Sequence, residues 1–426
     1  MEGPVKAIKA GKLIDGTGNP PIENAVVVVK GSRIEAVGEE VKVPSHAQVI
    51  DADGKNVMPG LLDIHVHLAS VEAPGSQVIL SMVRAPPSLL ILYAAKHARD
   101  MLEAGYTTVR DLGILLSTVP SREATPLLSL RGAIELGLVP GPRVVVAGPI
   151  YMTAGHYDMI KPPTILRSSG ETADGAWEVR RKVRELIREN VDLIKTSAGG
   201  GAAGEAEEIW WRNYTVEELE AIVDEAHAQG RKVAAHVYTP ATIKNALEAG
   251  VDTIEHGSFL DDQVIDMMVK KETVLVPTLT VFSERNVSAD PDRPVYYLRK
   301  MGDILEASKN SFQKAHRAGV KIAAGTDLWA QWPPAPIFGE NAYELELMVK
   351  YGMSEMEAIV ASTKTAAEAL GLEDQIGTLE KGKEADIIIS ESDPLKNIEV
   401  LQDKENIQMV MKGGKIAVNR GMIPIK

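Results

Sequence analysis

A chain of 426 residues is too long for one minimal domain and suits a large α/β unit with a smaller domain attached. Its 45% hydrophobic and 25% charged residues exclude a fibrous, collagen-like or largely disordered protein. A formal charge of −13 is unsuited to nucleic-acid backbones or anionic membranes, and the absence of cysteine excludes disulfides, thiolate nucleophiles, Cys-type zinc sites and iron–sulfur clusters.

The N-terminal residues lack the basic start and apolar core of a secretory signal, and no apolar run approaches a membrane span, so a cytoplasmic protein is expected. The first segments, VKAIKAGKLIDG and AVVVVKGSRIEAVG, read as short strands, with Gly31-Ser32 as a tight hairpin turn. This β character runs to about Val57. Beyond it, the apolar runs LLDIHVHL, YTTVRDL, RVVVAGPI, VDLIKTSA, KVAAHVY, DTIEHG, TVLVPTL and VKIAAGTD alternate with helical segments. LLILYAAKHARDMLEAG and TVEELEAIVDEAHAQG are examples, and both end at a glycine. Eight such units point to a (β/α)8 TIM barrel over residues 58–375, although an open doubly wound sheet has a similar pattern. GTLEKGKEADIIISES and IQMVMKGGKIAVNRG return to paired strands, so residues 1–57 and 376–426 are expected to form one small β-sandwich domain. Long loops are expected at 151–171, 198–214, 281–300 and 329–336, on the barrel face where active sites lie.

His65 and His67 are two apart in an apolar strand, so both imidazoles point to one face. A lone inward histidine is more often a hydrogen-bonded core residue, but a His-x-His pair after Met58-Pro59-Gly60 suits chelation of zinc, manganese or iron. His236, His256 and Asp327 each end a later strand, which in a barrel gathers them on one rim. His97, His227 and His316 fall in helical segments and His46 in the N-terminal β region, as surface or packing residues. Lys195 lies in an apolar strand, where an unpaired ammonium is costly. It reaches out of the strand end, pairs with a carboxylate, or is carboxylated by CO₂ and bridges two metal ions. The AGGGAAG run at 198–204 lacks the Gly-Lys-Ser/Thr ending of a phosphate-binding loop and fits a loop bending around a substrate.

Taken together, MPGLLDIHVHL, Lys195, His236, His256 and the AGTD that ends in Asp327 resemble the amidohydrolase superfamily, in its subtype with a binuclear metal centre and a carboxylated lysine. The resemblance covers essentially the whole chain. GKLIDGTG and GTLEKGKEADIII are similar to the flanking segments of the branch containing imidazolonepropionase-like proteins, prolidase-like and arginine-type metallo-carboxypeptidases, and mycotoxin-amide hydrolases. It implies two divalent ions, zinc by preference: His65, His67 and Asp327 on the more buried, His236 and His256 on the more exposed, and a carbamate on Lys195 between them. It also implies that a hydroxide between the ions attacks a carbonyl, with Asp327 taking its proton and delivering it to the leaving nitrogen. In the carboxypeptidase-like branch a TGGHG-like loop follows the third strand and places its histidine near the substrate. Here the segment is TAGHYD, so His156 is the match, while Ala154 and Tyr157 stand where the pattern has glycine. Tyr238, two residues after His236, is expected to offer its hydroxyl to the developing oxyanion or to a substrate carboxylate, with a core tyrosine as the alternative. Arg110 reads as structural rather than as a carboxylate clamp, and Trp210, Trp211, Trp329 and Trp332 suggest a partly aromatic pocket or a subunit interface.

The expected function is metal-dependent hydrolysis of an amide bond, as a dipeptidase, a carboxypeptidase or an N-acyl amino acid hydrolase, mycotoxin-type amides included. The alternatives are a urea or carbamate hydrolase, a mononuclear deaminase or cyclic-amide hydrolase, which Lys195 argues against, and an inactive barrel scaffold, against which all six ligand positions are filled. The expected partner is a small-molecule substrate, with no nucleic acid and no membrane, and the chain is expected to form a homo-oligomer.

Overall fold

The computed structural model describes residues 4–74, 77–113, 125–160, 172–289, 292–329, 332–420 and 423–425. The chain begins with strands β1 (Val5–Leu13), β2 (Ile22–Glu23), β3 (Val26–Lys30), β4 (Arg33–Gly38) and β5 (Gln48–Pro59). It ends with β13 (Ile387–Ser390), β14 (Ile407–Lys412) and β15 (Lys415–Asn419). These join in one sheet in the order β15-β14-β13-β5-β1-β3-β4, with β2 against β1. The expected sandwich is therefore a single hydrogen-bonded sheet that bends over its own core: Ile34 at one edge takes part in backbone bonds with Lys383 and Gly382, just before β13.

Strand alternation assigns the two faces of this sheet. Ile387 and Ile389 on β13, with Met409 and Met411 on β14, pack against Ile8, Val27 and Val29 in the small domain's core. The residues between them, Ile388 and Val410, point the other way and join the core of the larger domain. Glycine is required at both hairpin turns. Gly31, Gly413 and Gly414 have φ of 63°, 53° and 72°, a left-handed conformation that suits two-residue hairpins.

The second sheet holds β6 (Leu61–Val66), β7 (Tyr106–Asp111), β8 (Arg143–Ile150), β9 (Leu193–Ser197), β10 (Lys232–Val237), β11 (Thr253–His256) and β12 (Val274–Val276), in sequence order. All its pairings are parallel. The eighth expected strand, VKIAAGTD, is not a regular ladder. Residues 322 and 328 make isolated parallel bridges to Leu275 and Val66, and backbone bonds Ile64 N to Ala324 O and His67 N to Leu328 O complete the barrel. A regular strand is interrupted there because Asp327 turns to φ 54°.

Helices cover the barrel with one apolar face each. Val216–His227, for example, buries Leu219, Ile222, Val223 and Ala226 and starts in a capping box of Thr215 and Glu218. The stretch 281–300, expected as a loop, instead contains a short helix, Glu284–Val287, and the first turns of a long one, Val295–Arg317. Pro294 ends the irregular segment, its fixed φ suiting the entry into a helix. Of the expected loop 151–171, residues 161–171 lie outside the described residues. Among the described residues, no helix is long and apolar enough to cross a membrane.

Candidate metal centre

The C-terminal ends of the barrel strands bring the chemistry-bearing residues together. β6 delivers His65 and, one residue past its end, His67; Lys195 lies within β9, His236 near the end of β10 and His256 at the last position of β11. His256, Thr278 and Asp327 have φ of 74°, 50° and 54°, a conformation rare for L residues and characteristic of constrained functional sites. At β11 this matters directly. Alternation puts Thr253 and Glu255 on the inward face, and the left-handed turn at His256 adds its imidazole to the same interior.

Each of the four histidines has one ring nitrogen tied to the protein and the other turned toward the shared centre. His65 Nδ1 donates to Glu255 Oε2 at 2.7 Å, and His67 Nδ1 donates to the Gly113 carbonyl at 2.7 Å. His256 Nδ1 lies 2.8 Å from Thr278 Oγ1, and His236 Nε2 is 3.3 Å from the Gly200 carbonyl. The opposite nitrogens of His65 and His236 are buried without a partner, as is Lys195 Nζ. Asp327 Oδ1 lies 3.4 Å from His65 Nε2 and 3.2 Å from His67 Nε2. Ligand atoms of His65, His256 and Asp327 all fall within 4.8 Å of one another, and the His236 and His256 ring centroids are 4.6 Å apart. Such outward anchoring fixes tautomer and ring plane, as metal-ligating histidines require.

The electrostatics point the same way. Burial pulls His236 and His256 well below the ordinary histidine range, reinforced at His236 by His156, His256 and Lys195 and opposed at His256 by Asp327, so both are neutral and able to donate a lone pair at pH 7. Burial works against the Asp327 carboxylate, but His65 and His67 outweigh it and hold the group well below the usual carboxylate range. Lys195 is pulled from 10.5 to about 8, chiefly by burial, with Glu255 and Asp327 opposing. Neutral imidazoles, a carboxylate and a buried amine with no hydrogen-bond partner form a donor set that fits divalent cations.

Arg110 is fully buried and does not line the cavity above this centre. Its guanidinium donates to the Ile64 carbonyl, to Thr253 Oγ1 at 3.2 Å and to Glu255 Oε1 at 2.7 Å. Burial alone would raise the Glu255 carboxyl; Arg110 and His65 outweigh it and hold the group low.

A cavity opens over the centre, lined by His156, Tyr157, Tyr238, His256, Phe282, Tyr297, Met301 and Asp327 among others. Tyr238 meets the His236 ring edge-on at 4.8 Å and stacks on His256 at 5.3 Å. His156 stacks on His236 at 4.3 Å. Of the four loop tryptophans only Trp329 lines the cavity; Trp210, Trp211 and Trp332 are 55%, 44% and 50% exposed, and the aromatic wall is instead tyrosine and phenylalanine.

Two functional neighbours are absent from the sequence-based set. Glu255, the partner of His65, sits in an apolar strand as Arg110 does, and two opposite charges in buried strands are the signal that pairs them. Glu207 accepts from His156 Nδ1 at 2.9 Å and from the amides of Gly201 and Gly204 at 2.8 and 2.9 Å. The glycine run thus wraps a carboxylate: a Cβ at Gly201 would collide with the His156 ring. Lys300, from the helix Val295–Arg317, pins this loop by donating to the carbonyls of Gly204, at 2.6 Å, and Glu207.

The sequence profile of the Amidohydrolase family matches residues 56–417. Ochratoxinase from Aspergillus niger is 33% identical over 448 aligned residues, covering 99% of this chain and 88% of that protein. A crystal structure of a Xaa-Pro dipeptidase with methionine bound in its active site superposes with a TM-score of 0.86 at 31% identity, covering 97% of this chain and 99% of that one. A prolidase complexed with N-methylphosphonate-L-proline gives a TM-score of 0.86 at 30% identity, covering 98% and 100%. The chain belongs to the amidohydrolase family, in its prolidase-like branch.

Proposed function

We propose that the protein is a binuclear metal hydrolase that releases an amino acid with a free carboxylate from a dipeptide or an N-acyl amino acid. The observation that carries this reading is the inward turn of four histidine nitrogens around Lys195 and Asp327, beneath a largely aromatic cavity. The dipeptidase with bound methionine and the prolidase holding a proline-derived phosphonate support an amino acid as the leaving group.

In this reading His65, His67 and Asp327 would hold one divalent ion and His236 and His256 the other, carboxylated Lys195 would serve both, and zinc is the proposed metal. Ions held there supply an acidified water and a polarised carbonyl oxygen. The lysine is suited to its modification. A neutral Nζ attacks CO₂: a nitrogen–carbon bond forms as one C=O π bond opens, and one nitrogen-bound proton leaves, so that a neutral buried amine becomes an anion. Asp327 accepts the proton of the attacking water at its carboxylate and passes it to the leaving nitrogen. Tyr238 and His156 face the cavity beside His236, placed to bind the developing oxyanion and the substrate carboxylate. A cytoplasmic homo-oligomer is part of the same proposal.

The test compares N-acetyl-L-phenylalanine and N-acetyl-L-methionine with their carboxamides, using protein reconstituted with zinc and bicarbonate. The free acids are expected to turn over on the order of 100-fold faster, the upper end of what a hydrogen bond to a charged group contributes. Equal turnover of acid and carboxamide would sink the amino-acid reading. Turnover with one metal ion per chain and an unmodified Lys195 would replace it with the mononuclear one.

A further inference from the structure

On either side of His156 the backbone takes a conformation that its residues disfavour. Ala154 has φ 59° and Tyr157 φ 71°, both in the left-handed region where glycine sits without strain and a bulky side chain rarely does. These are the two positions at which the TGGHG-like pattern has glycine. The surroundings hold the segment in this shape. Ala154 N donates to Asp158 Oδ2 at 2.8 Å, Met159 N donates to the Gly155 carbonyl at 3.0 Å, and Thr153 donates to Asp174 through its amide at 2.9 Å and its hydroxyl at 2.6 Å. A strained aromatic residue kept where glycine would be at ease points to a use for its side chain.

That side chain forms a wall of the cavity. Tyr157 is 5% exposed, its ring 4.6 Å from Tyr151, 4.2 Å from His156 and 6.2 Å from His236. It therefore stands beside the proposed carboxylate-binding histidine, next to the reacting centre. Tyr238, Phe282 and Met301 contribute the apolar surface elsewhere in the same cavity. Asp327 is the one carboxylate among the described lining residues, and it already faces His65 at 3.4 Å and His67 at 3.2 Å. The cavity thus offers aromatic and apolar surface rather than a free counter-charge for a basic side chain.

We infer that Tyr157 is a specificity-determining residue that selects substrates whose released amino acid carries an aromatic or bulky apolar side chain. This rests on the amino-acid-releasing reading above.

The experiment measures kcat/KM of the metal-reconstituted full chain on the N-acetyl derivatives of phenylalanine, leucine and glycine, for the wild type, Tyr157→Phe and Tyr157→Gly. Tyr157→Phe is expected to stay within about 3-fold of wild type on all three, because the ring is kept. Tyr157→Gly is expected to lose roughly 30-fold on phenylalanine and less than about 3-fold on glycine, because only the larger side chain loses a contact surface. An equal loss on all three substrates would overturn the inference and leave Tyr157 a structural residue. If Tyr157→Gly does not fold, a crystal structure of the wild type with phenylalanine bound decides: its ring against Tyr157 supports the inference, and its ring placed elsewhere overturns it. A wild type inactive on all three derivatives overturns the amino-acid reading and this inference with it, whereas an active wild type with uniform losses overturns this inference alone.

Discussion

Glu255 stands 2.7 Å from His65 Nδ1 through one carboxylate oxygen and 2.7 Å from Arg110 Nη2 through the other, inside the barrel and shut off from solvent. One carboxylate thus fixes the tautomer of a proposed ligand and is itself balanced by a buried cation. Because this contact orients His65, Glu255→Gln is expected to weaken metal binding about 10- to 100-fold. A competition titration against a chromophoric chelator reads it, and unchanged affinity would mean that Glu255 does not act on the centre.

Removing Arg110 has a different consequence. Arg110→Met strands a fully buried carboxylate, which is expected to cost about 3–5 kcal/mol of stability. Chemical denaturation of the metal-free protein measures this without interference from the ions. A loss below about 1 kcal/mol would show that water or a rearranged neighbour replaces the guanidinium.

Reconstitution has a predictable pH dependence. Lys195 is neutral in the folded chain from about 8 upward instead of from 10.5. The rate at which metal-free protein regains activity with zinc and a fixed concentration of dissolved CO₂ is therefore expected to rise about tenfold per pH unit below that point and to level off above it. A rate still climbing at pH 10 would mean an ordinary lysine. The stability sign follows from the same shift: between about 8 and 10.5 the unfolded chain binds a proton that the folded chain does not, so this group's contribution to the metal-free protein's stability grows as pH rises through that window.

Glu207 is expected to act through His156 as a positioning residue. Glu207→Ala should raise KM for an N-acyl amino acid about 10-fold, as the buried imidazole loses its partner, and should have little further effect once His156 is already alanine. Additive losses in the double variant would assign Glu207 to loop stability alone.

The strand ends carrying His65, His67, Lys195, His236 and His256 are legible in the sequence because each lies in a short apolar run, where a polar residue stands out. Glu255 stands out in such a run as well, but its contact with His65 is hidden. Alternation assigns it to the face opposite His256, and only the left-handed turn at His256 brings both inside. Glu207 lies in a loop without periodicity, so its pairing with His156 depends on tertiary structure alone. The break in the eighth strand comes from the backbone of Asp327, and the helix start hidden in ADPDRPV follows a proline-rich stretch that reads locally as loop. Paired strands at each end are visible in the sequence and read as a sandwich, whereas the single sheet that joins β5 to β13 has no local signature.

The central claim is a two-ion centre bridged by a modified lysine, and anomalous diffraction from crystals of the zinc-reconstituted protein tests it most directly. Two peaks per chain are expected, one among His65, His67 and Asp327 and one between His236 and His256, with planar density extending from Lys195 Nζ to both. A single peak beside an unmodified Lys195 would contradict it.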